Sequence, residues 1–332
     1  MEAALYYLAT LVVFFFIYNI LTWGLNIQFG YAGILDFTYI TFFAAGAYFT
    51  GAGALGKPSA DSNMRYILGL QWPFIPALLL GAVAAGLLGL LVGLVALNRL
   101  RSDYLAIVTV SVGAIAYDFV GNFTSLFNGW DGIAGIPYPF NSALKLDPNS
   151  YIFFYVVFSG VVMAIFWVIT NRLSGSPLGR TMRAIRDDAD VAEAFGKNTF
   201  KIRMTAMVIG CIYAGIGGGM LIGFISAVSP SGWAAGETFV IWAALLVGGR
   251  GNNLGAMVGA LLVPVVFNEA TRFLPAVPGH PELISAIRNM IVGALLIGVL
   301  WFRPQGILPE RKIRWFDVPL RTPKEEIQHA AV

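Results

Sequence analysis

"SPLGRTMRAIRDDADVAEAFGKN", residues 176–198, breaks the character of the chain around it. Within these 23 residues lie four basic and four acidic side chains. Ser176 suits a helix N-cap, and Pro177 suits the first helical turn. Leu178, Met182, Ile185, Ala189, Ala192 and Phe195 then recur at steps of four and three, which draws one apolar stripe on a helix. Arg180, Arg183, Asp187, Asp190 and Ala194 fall opposite, and Gly196 is placed to end the helix in a left-handed cap. The pattern predicts a single amphipathic helix of roughly 18 residues. Two uses for it stay open. It can lie on a bilayer with its basic residues at lipid headgroups, or dock into a partner's groove by its apolar anchors. The acids weigh against the lipid use, because an anionic leaflet repels them. Asp187, Asp188, Asp190 and Glu193 read as a solvated, salt-bridged face rather than as a metal site.

Outside this stretch the chain is apolar. Of 332 residues, 58% are hydrophobic and 12% charged, where soluble domains carry about 25% charge. That deficit, with long apolar runs, predicts an all-α polytopic membrane protein. The net charge of +3 gives no nucleic-acid signal, because the basic residues cluster at span ends. One cysteine, Cys211, excludes an intrachain disulfide, and His280 and His329 have no cysteine partners for a zinc site. Glu2 is the only charge before a long apolar run, so the N-terminus reads as a first span rather than a cleavable signal.

A spanning helix needs about 20 mostly apolar residues. Runs of that kind fall at 5–26, 33–51, 72–97, 104–121, 151–171, 203–227, 239–248, 254–273 and 283–302. The expected count is about nine spans, within a range of eight to ten. The 239–248 run is short alone, and either begins near Trp233 or is a broken or re-entrant helix. The expected division is a transmembrane domain over 1–303, holding the charged loop 172–203, and a C-terminal tail over 304–332. With nine spans, three basic segments share one side: 98–103, 172–203 and the tail from Arg303. The positive-inside rule makes that side cytoplasmic, with the N-terminus outside and the C-terminus in the cytoplasm. Arg250, in the turn "GGRGNN", falls on the same side.

Glycine occurs 38 times. "GAVAAGLLGLLVG" (residues 81–93) and "GCIYAGIGGG" (residues 210–219) read as small-residue faces that let helices approach closely in lipid. No G-x-x-x-x-G-K-[ST] occurs, and "GGRGNNLG" lacks the Lys-Ser/Thr that a phosphate-binding loop needs. There is no nucleophile elbow, zincin helix or dinucleotide fingerprint either. The expectation is a non-enzyme with no catalytic residue, no metal and no cofactor of its own. Gly30 and Gly33 in "FGYAG" predict a broken or tightly turned helix, tolerated only where protein or a water-filled cavity covers the freed backbone. Asn26, Gln28, Gly30, Gly33 and Asp36 are therefore the pathway-lining candidates. A plain inter-span turn, with Asn26 and Gln28 as caps, stands equally beside that reading. Glu269 and Arg272, three apart, read as a helix-surface ion pair.

Several blocks carry a family resemblance. In residues 176–198, Ala192-Glu193-Ala194 and Gly196 match the Glu-Ala-Ala…Gly pattern of the cytoplasmic coupling loop of ABC-importer permeases. "GLNIQFGYAGILDFTYITFFAAGAY" (24–48), "LRSDYLAIVTVSVG" (100–113), "ISAVSPSGW" (225–233), "VGGRGNNLGAMVGALL" (247–262) and "WFRPQGILPERK" (301–312) resemble, in order and spacing, blocks of the high-affinity branched-chain amino-acid permeases. The chain is identified as similar to LivM-type subunits over about residues 21–312. The resemblance implies half of a permease heterodimer with a LivH-type chain, two cytoplasmic ABC ATPase subunits and an extracytoplasmic substrate-binding protein, in a bacterial inner membrane. It implies that ATP is used by the partner subunits. The ATPase-coupling residues it points to are Leu178, Arg183, Ile185, Asp187, Ala192, Glu193, Ala194 and Gly196. It implies a solute such as leucine, isoleucine or valine, with urea, short amides and other amino acids served by related permeases. One departure stands out: the family more often has Ser followed by Gly-His where this chain has Asp36-Phe37-Thr38-Tyr39. The competing reading is a self-sufficient proton-coupled transporter that uses Asp36, Asp118 and Glu269 as a relay.

Overall fold

The first helix, α1 (Glu2–Leu25), does not end cleanly but widens into a π-helical turn over Asn26–Tyr31. Extra-wide turns of this kind mark functional sites or strain more often than regular helix does. The structure, a computed structural model, describes residues 2–58, 64–99, 102–141, 147–272 and 283–310. The further helices are α2 (Tyr39–Ala54), α3 (Phe74–Arg99), α4 (Ser102–Asn122), α5 (Pro148–Gly175), α6 (Pro177–Asp187), α7 (Ala189–Ala194), α8 (Thr199–Ile225), α9 (Ala235–Gly248), α10 (Asn253–Leu261), α11 (Asn268–Arg272) and α12 (Leu283–Phe302). The protein is an all-α polytopic membrane protein.

Seven helices among the described residues are long and apolar enough to cross a membrane, against the nine expected. One expected span, over 33–51, falls short of that length. α2 has 16 residues and starts at Tyr39, because residues 32–38 are non-helical. Fourteen of its residues are buried, so protein rather than lipid surrounds it. The last apolar helix, α12, has 20 residues over Leu283–Phe302, as expected there. The 239–248 run does begin earlier, through a 3-10 turn at Pro230–Trp233 that leads into α9. α10 passes through a second π-helical turn, Leu262–Phe267, before α11. Pro264 lies inside it and has no N–H to give an α-helical ladder.

α8 is the hub, packed on α1, α2 and α3. The glycine faces read from the sequence make this crossing. A Cβ at Gly46 of α2 would lie 2.1 Å from the Gly215 carbonyl oxygen of α8, and a Cβ at Gly81 of α3 would lie 2.4 Å from the Gly46 carbonyl oxygen. Backbones touch at that spacing, and any larger residue drives them apart. At the end of the molecule remote from α6 and α7, β1 (Ile133–Ala134) and β2 (Ala227–Val228) pair antiparallel, with Ile133 opposite Val228.

Candidate functional site

The charged stretch folds as two helices, not the single helix its periodicity predicts. Ser176 caps α6 as expected, accepting from the Gly179 amide at 3.2 Å, with Pro177 following. The helix stops at Asp188, which is extended at φ −156° and ψ 108°. Asp188 Oδ1 then accepts from the Val191 amide at 3.0 Å and caps α7. An aspartate that can bond its own downstream backbone competes with helix continuation. "DDAD" carries that signal, and the apolar spacing hid it. Gly196 closes α7 at φ +74°, with the Lys197 amide donating to the Ala192 carbonyl at 3.1 Å. That is the left-handed cap expected there.

The break separates two orientations. Met182 and Ile185 of α6 are fully buried, Leu178 packs on the same core, and Ala192 is buried at the start of the turn back. These apolar anchors face the chain's own body. Phe195 is 80% exposed and Val191 51%. Asp187, Glu193, Ala194 and Gly196 are exposed as well. Arg183, placed by its spacing on the solvent side, instead turns inward over the Tyr31 ring, 5.1 Å from its centroid.

Beneath α6 the other singled-out blocks converge. Asn26 and Gln28 are completely buried and held by the chain itself. The Asn26 side chain donates to Asn253 Oδ1 at 3.2 Å and accepts from the Gly251 amide at 2.8 Å. The Gln28 amide donates to the Met207 carbonyl of α8 at 3.0 Å. Gly30 leaves no space for a side chain, since a Cβ there would lie 1.9 Å from Asn26 Oδ1 and 2.8 Å from the Gly251 nitrogen. Gly33 is left-handed at φ +68°, with Arg186 Cγ 3.0 Å from where its Cβ would be. The predicted helix break is therefore present, and protein covers its backbone groups. Arg186 donates to the Gly30 carbonyl, Thr109 Oγ1 accepts from the Phe37 amide at 3.1 Å, and Trp242 Nε1 donates to the Asp36 carbonyl at 3.2 Å. Asp36 is fully buried; its Oδ1 accepts from the Thr38 amide at 2.9 Å, while Oδ2 has no hydrogen-bond partner among the described residues.

Asn253 is the residue that sequence reasoning missed. It accepts from Asn26 and the Tyr31 hydroxyl, donates to Asn171 Oδ1 at 2.7 Å, and its carbonyl takes Trp23 Nε1 at 3.0 Å. It thereby joins α1, α5 and α10. Only a buried side-chain amide, donor and acceptor at once, fills that place. The "GGRGNN" turn holding it reads in sequence as a plain link.

The three acids of the relay reading are not gathered. Asp118 is exposed on α4. Glu269 accepts from the Tyr7 hydroxyl near the start of α1, whereas Asp36 lies just beyond the end of that helix. At 1.5 Å per residue, those ends are about 30 Å apart. The side chain of Arg272, the expected ion-pair partner of Glu269, lies outside the described residues, as do His280, His329 and the basic residues from Arg311 onward.

Compared with known proteins, residues 7–300 match the model of the branched-chain amino acid transport system permease component. The chain belongs to that family. It is 31% identical over 313 residues to the LivM permease protein of the high-affinity branched-chain amino acid transport system of Escherichia coli K12, covering 88% of this chain and 68% of the relative. It is 24% identical to the probable LivM protein of Methanocaldococcus jannaschii, over 92% and 94% of the two chains. The LivH permease protein of Salmonella typhimurium is 25% identical over 88% and 91%. No solved structure gives a significant match. The family is one of transport subunits that work with other chains, which agrees with the resemblance carried by the sequence blocks and does not favour the self-sufficient relay.

Proposed function

We propose that this chain is one half of a paired permease that imports branched-chain amino acids, with ATP hydrolysed by two separate ATPase subunits that engage α7. The observation that carries this reading is the division of the charged stretch. α6 is anchored on the chain's own core, and it holds out a short capped helix whose Phe195 and Val191 face solvent. Apolar anchors held out on a short helix are what a partner's groove takes up in helix-in-groove docking. The face holding α6, α7, the Gly248–Asn253 turn and residues 303–310 is cytoplasmic in this proposal, because the basic segments meet there. The N-terminus of α1 and the β1–β2 pair then lie outside, where a substrate-binding protein would deliver leucine, isoleucine or valine to a pathway shared with a LivH-type partner.

Proteoliposomes test this directly. The full set of this chain, partner permease, ATPases and binding protein is expected to take up labelled leucine only with ATP, and neither urea nor acetamide. Leucine uptake by this chain alone under a proton gradient would sink the proposal. Gly196→Arg, which forces a large side chain onto a left-handed backbone beside Phe195, is expected to abolish ATPase association and uptake together.

A further inference from the structure

We infer that Glu310 is a positioning residue that clasps α6, itself seated on the end of α1, to the cytoplasmic ends of α9 and α10, so that movement of α7 reaches helices to which it has no covalent link. The inference rests on the proposal that ATPases act through α7. By connectivity alone, α6 and α7 join only α5 and α8. The Glu310 carboxylate adds α9 and α10, while the arginines themselves reach the end of α1.

Arg183 and Arg186 lie three residues apart on one face of α6 and reach the same group. Arg186 Nη2 is 2.9 Å from Glu310 Oε2, and Arg183 Nε is 3.5 Å from Oε1. The first is a close ion pair; the second is looser and leaves Arg183 Nε without a hydrogen-bond partner among the described residues. Arg186 Nε donates to Asp187 Oδ1 at 3.1 Å, beside it on the same helix, and one further arm of each guanidinium reaches backbone. Arg186 Nη1 takes the Gly30 carbonyl at the α1 break, and Arg183 Nη2 takes the Ser174 carbonyl at the end of α5. The Tyr31 ring under Arg183 offsets the second positive charge.

On its other side the carboxylate rests on Gly251. A Cβ at that glycine would lie 2.7 Å from Glu310 Cδ, and the backbone there is left-handed at φ +79°. The segment that delivers Glu310 is zipped to the end of α9. The Ile307 amide donates to the Val247 carbonyl at 2.8 Å, and the Leu308 amide to the Gly248 carbonyl at 3.0 Å. Asn252, in the α9–α10 turn, donates to the Pro309 carbonyl at 3.1 Å. Residues 303–310 thus form a strap over the turn that ends in an acid aimed at α6. The three side chains are only 18–24% exposed, so salt screens them little. A planar fork is what lets one arginine hold a carboxylate and a carbonyl together, which an ammonium does not reproduce.

The test uses the reconstituted complex. Glu310→Gln keeps shape and removes charge, so folding, checked by yield and gel filtration, is expected to be normal. ATPase association should be unchanged, while leucine taken up per ATP falls roughly threefold to thirtyfold, the range in which coupling mutations act. Arg186→Lys should fall similarly. The double variant Glu310→Gln with Arg186→Gln should cost no more than the worse single variant, because both remove one contact. Spin labels at Ala184→Cys, exposed on α6, and Gln305→Cys, on the strap, should keep their separation on ATP binding in otherwise unaltered protein, and lose it with Glu310→Gln. Normal uptake per ATP in Glu310→Gln, additive losses in the double variant, or a separation that changes with ATP while Glu310 is in place would each overturn the clasp. Failure of the unaltered chain to bind ATPases would overturn docking at α7 itself, and the clasp's role with it.

Discussion

α6 and α7 come from one amphipathic stretch, yet they use their apolar residues in opposite ways. α6 puts Met182 and Ile185 into the core of its own chain, with relative exposures of 0% and 1%. α7 and the turn after it leave Val191 and Phe195 in solvent. Phe195 lies thirteen positions after Met182, but a single extended residue, Asp188, re-aims everything beyond it. An amphipathic pattern therefore shows that a helix has an apolar face, not whose surface that face meets. Here the chain meets the first half itself, and the second it leaves in solvent.

The comparison breaks most visibly at Ile185. Ile185→Ala removes a buried side chain from the α6 anchor and is expected to cost about 2–5 kcal/mol. Thermal unfolding of the purified permease in detergent should shift down, and ATPase binding should weaken with it, since α7 hangs from α6. If unfolding were unchanged, α6 would not be anchored as described. Phe195→Ala sharpens the contrast from the other side. Its stability effect is expected within about 0.5 kcal/mol, as for an exposed site. Its effect on ATPase binding is expected near 2 kcal/mol, roughly thirtyfold in Kd, as for an aromatic anchor. A pull-down titration measures it, and equal binding by the variant would remove Phe195 from the docking surface.

Much of this was legible in the sequence. The membrane class followed from composition and the apolar runs. The small-residue faces of α3 and α8 were read from glycine spacing, and the break near Gly30 from the glycines themselves. Ser176 and Gly196, at the two ends of the charged stretch, act through local backbone chemistry that a sequence carries outright. What stayed hidden depends on tertiary partners. Arg183 sits at a solvent position on a lone helix, and only Tyr31 and Glu310, 152 and 127 positions away, turn it inward. Asn253 reads as a turn residue until Asn26, Tyr31 and Asn171 surround it. The shortness of α2 is of the same kind: its apolar run continues back through Gly33, but Thr109 and Trp242 satisfy the Phe37 amide and the Asp36 carbonyl outside any helix.

The smallest expected effect concerns the hinge between the two helices. Asp188→Ala removes the side-chain acceptor that the Val191 amide uses and gives position 188 a strong helix former. Loss of an N-cap costs about 1 kcal/mol, and part of that returns if α6 and α7 fuse into the continuous helix that the periodicity favours. Overall stability should therefore move by less than about 1 kcal/mol, while the direction of α7 changes. Continuous helix would carry Phe195 around onto the stripe shared with Met182 and Ile185, because the steps of three and four between them then hold in space. The measurement is accessibility: Phe195→Cys should react quickly with a membrane-impermeant maleimide when Asp188 is present and slowly in the Asp188→Ala background. Equal reactivity in both would mean that Asp188 caps α7 without aiming it, and that contacts such as the one from Thr199 Oγ1 to Glu193 Oε1 at 2.6 Å hold the turn in place.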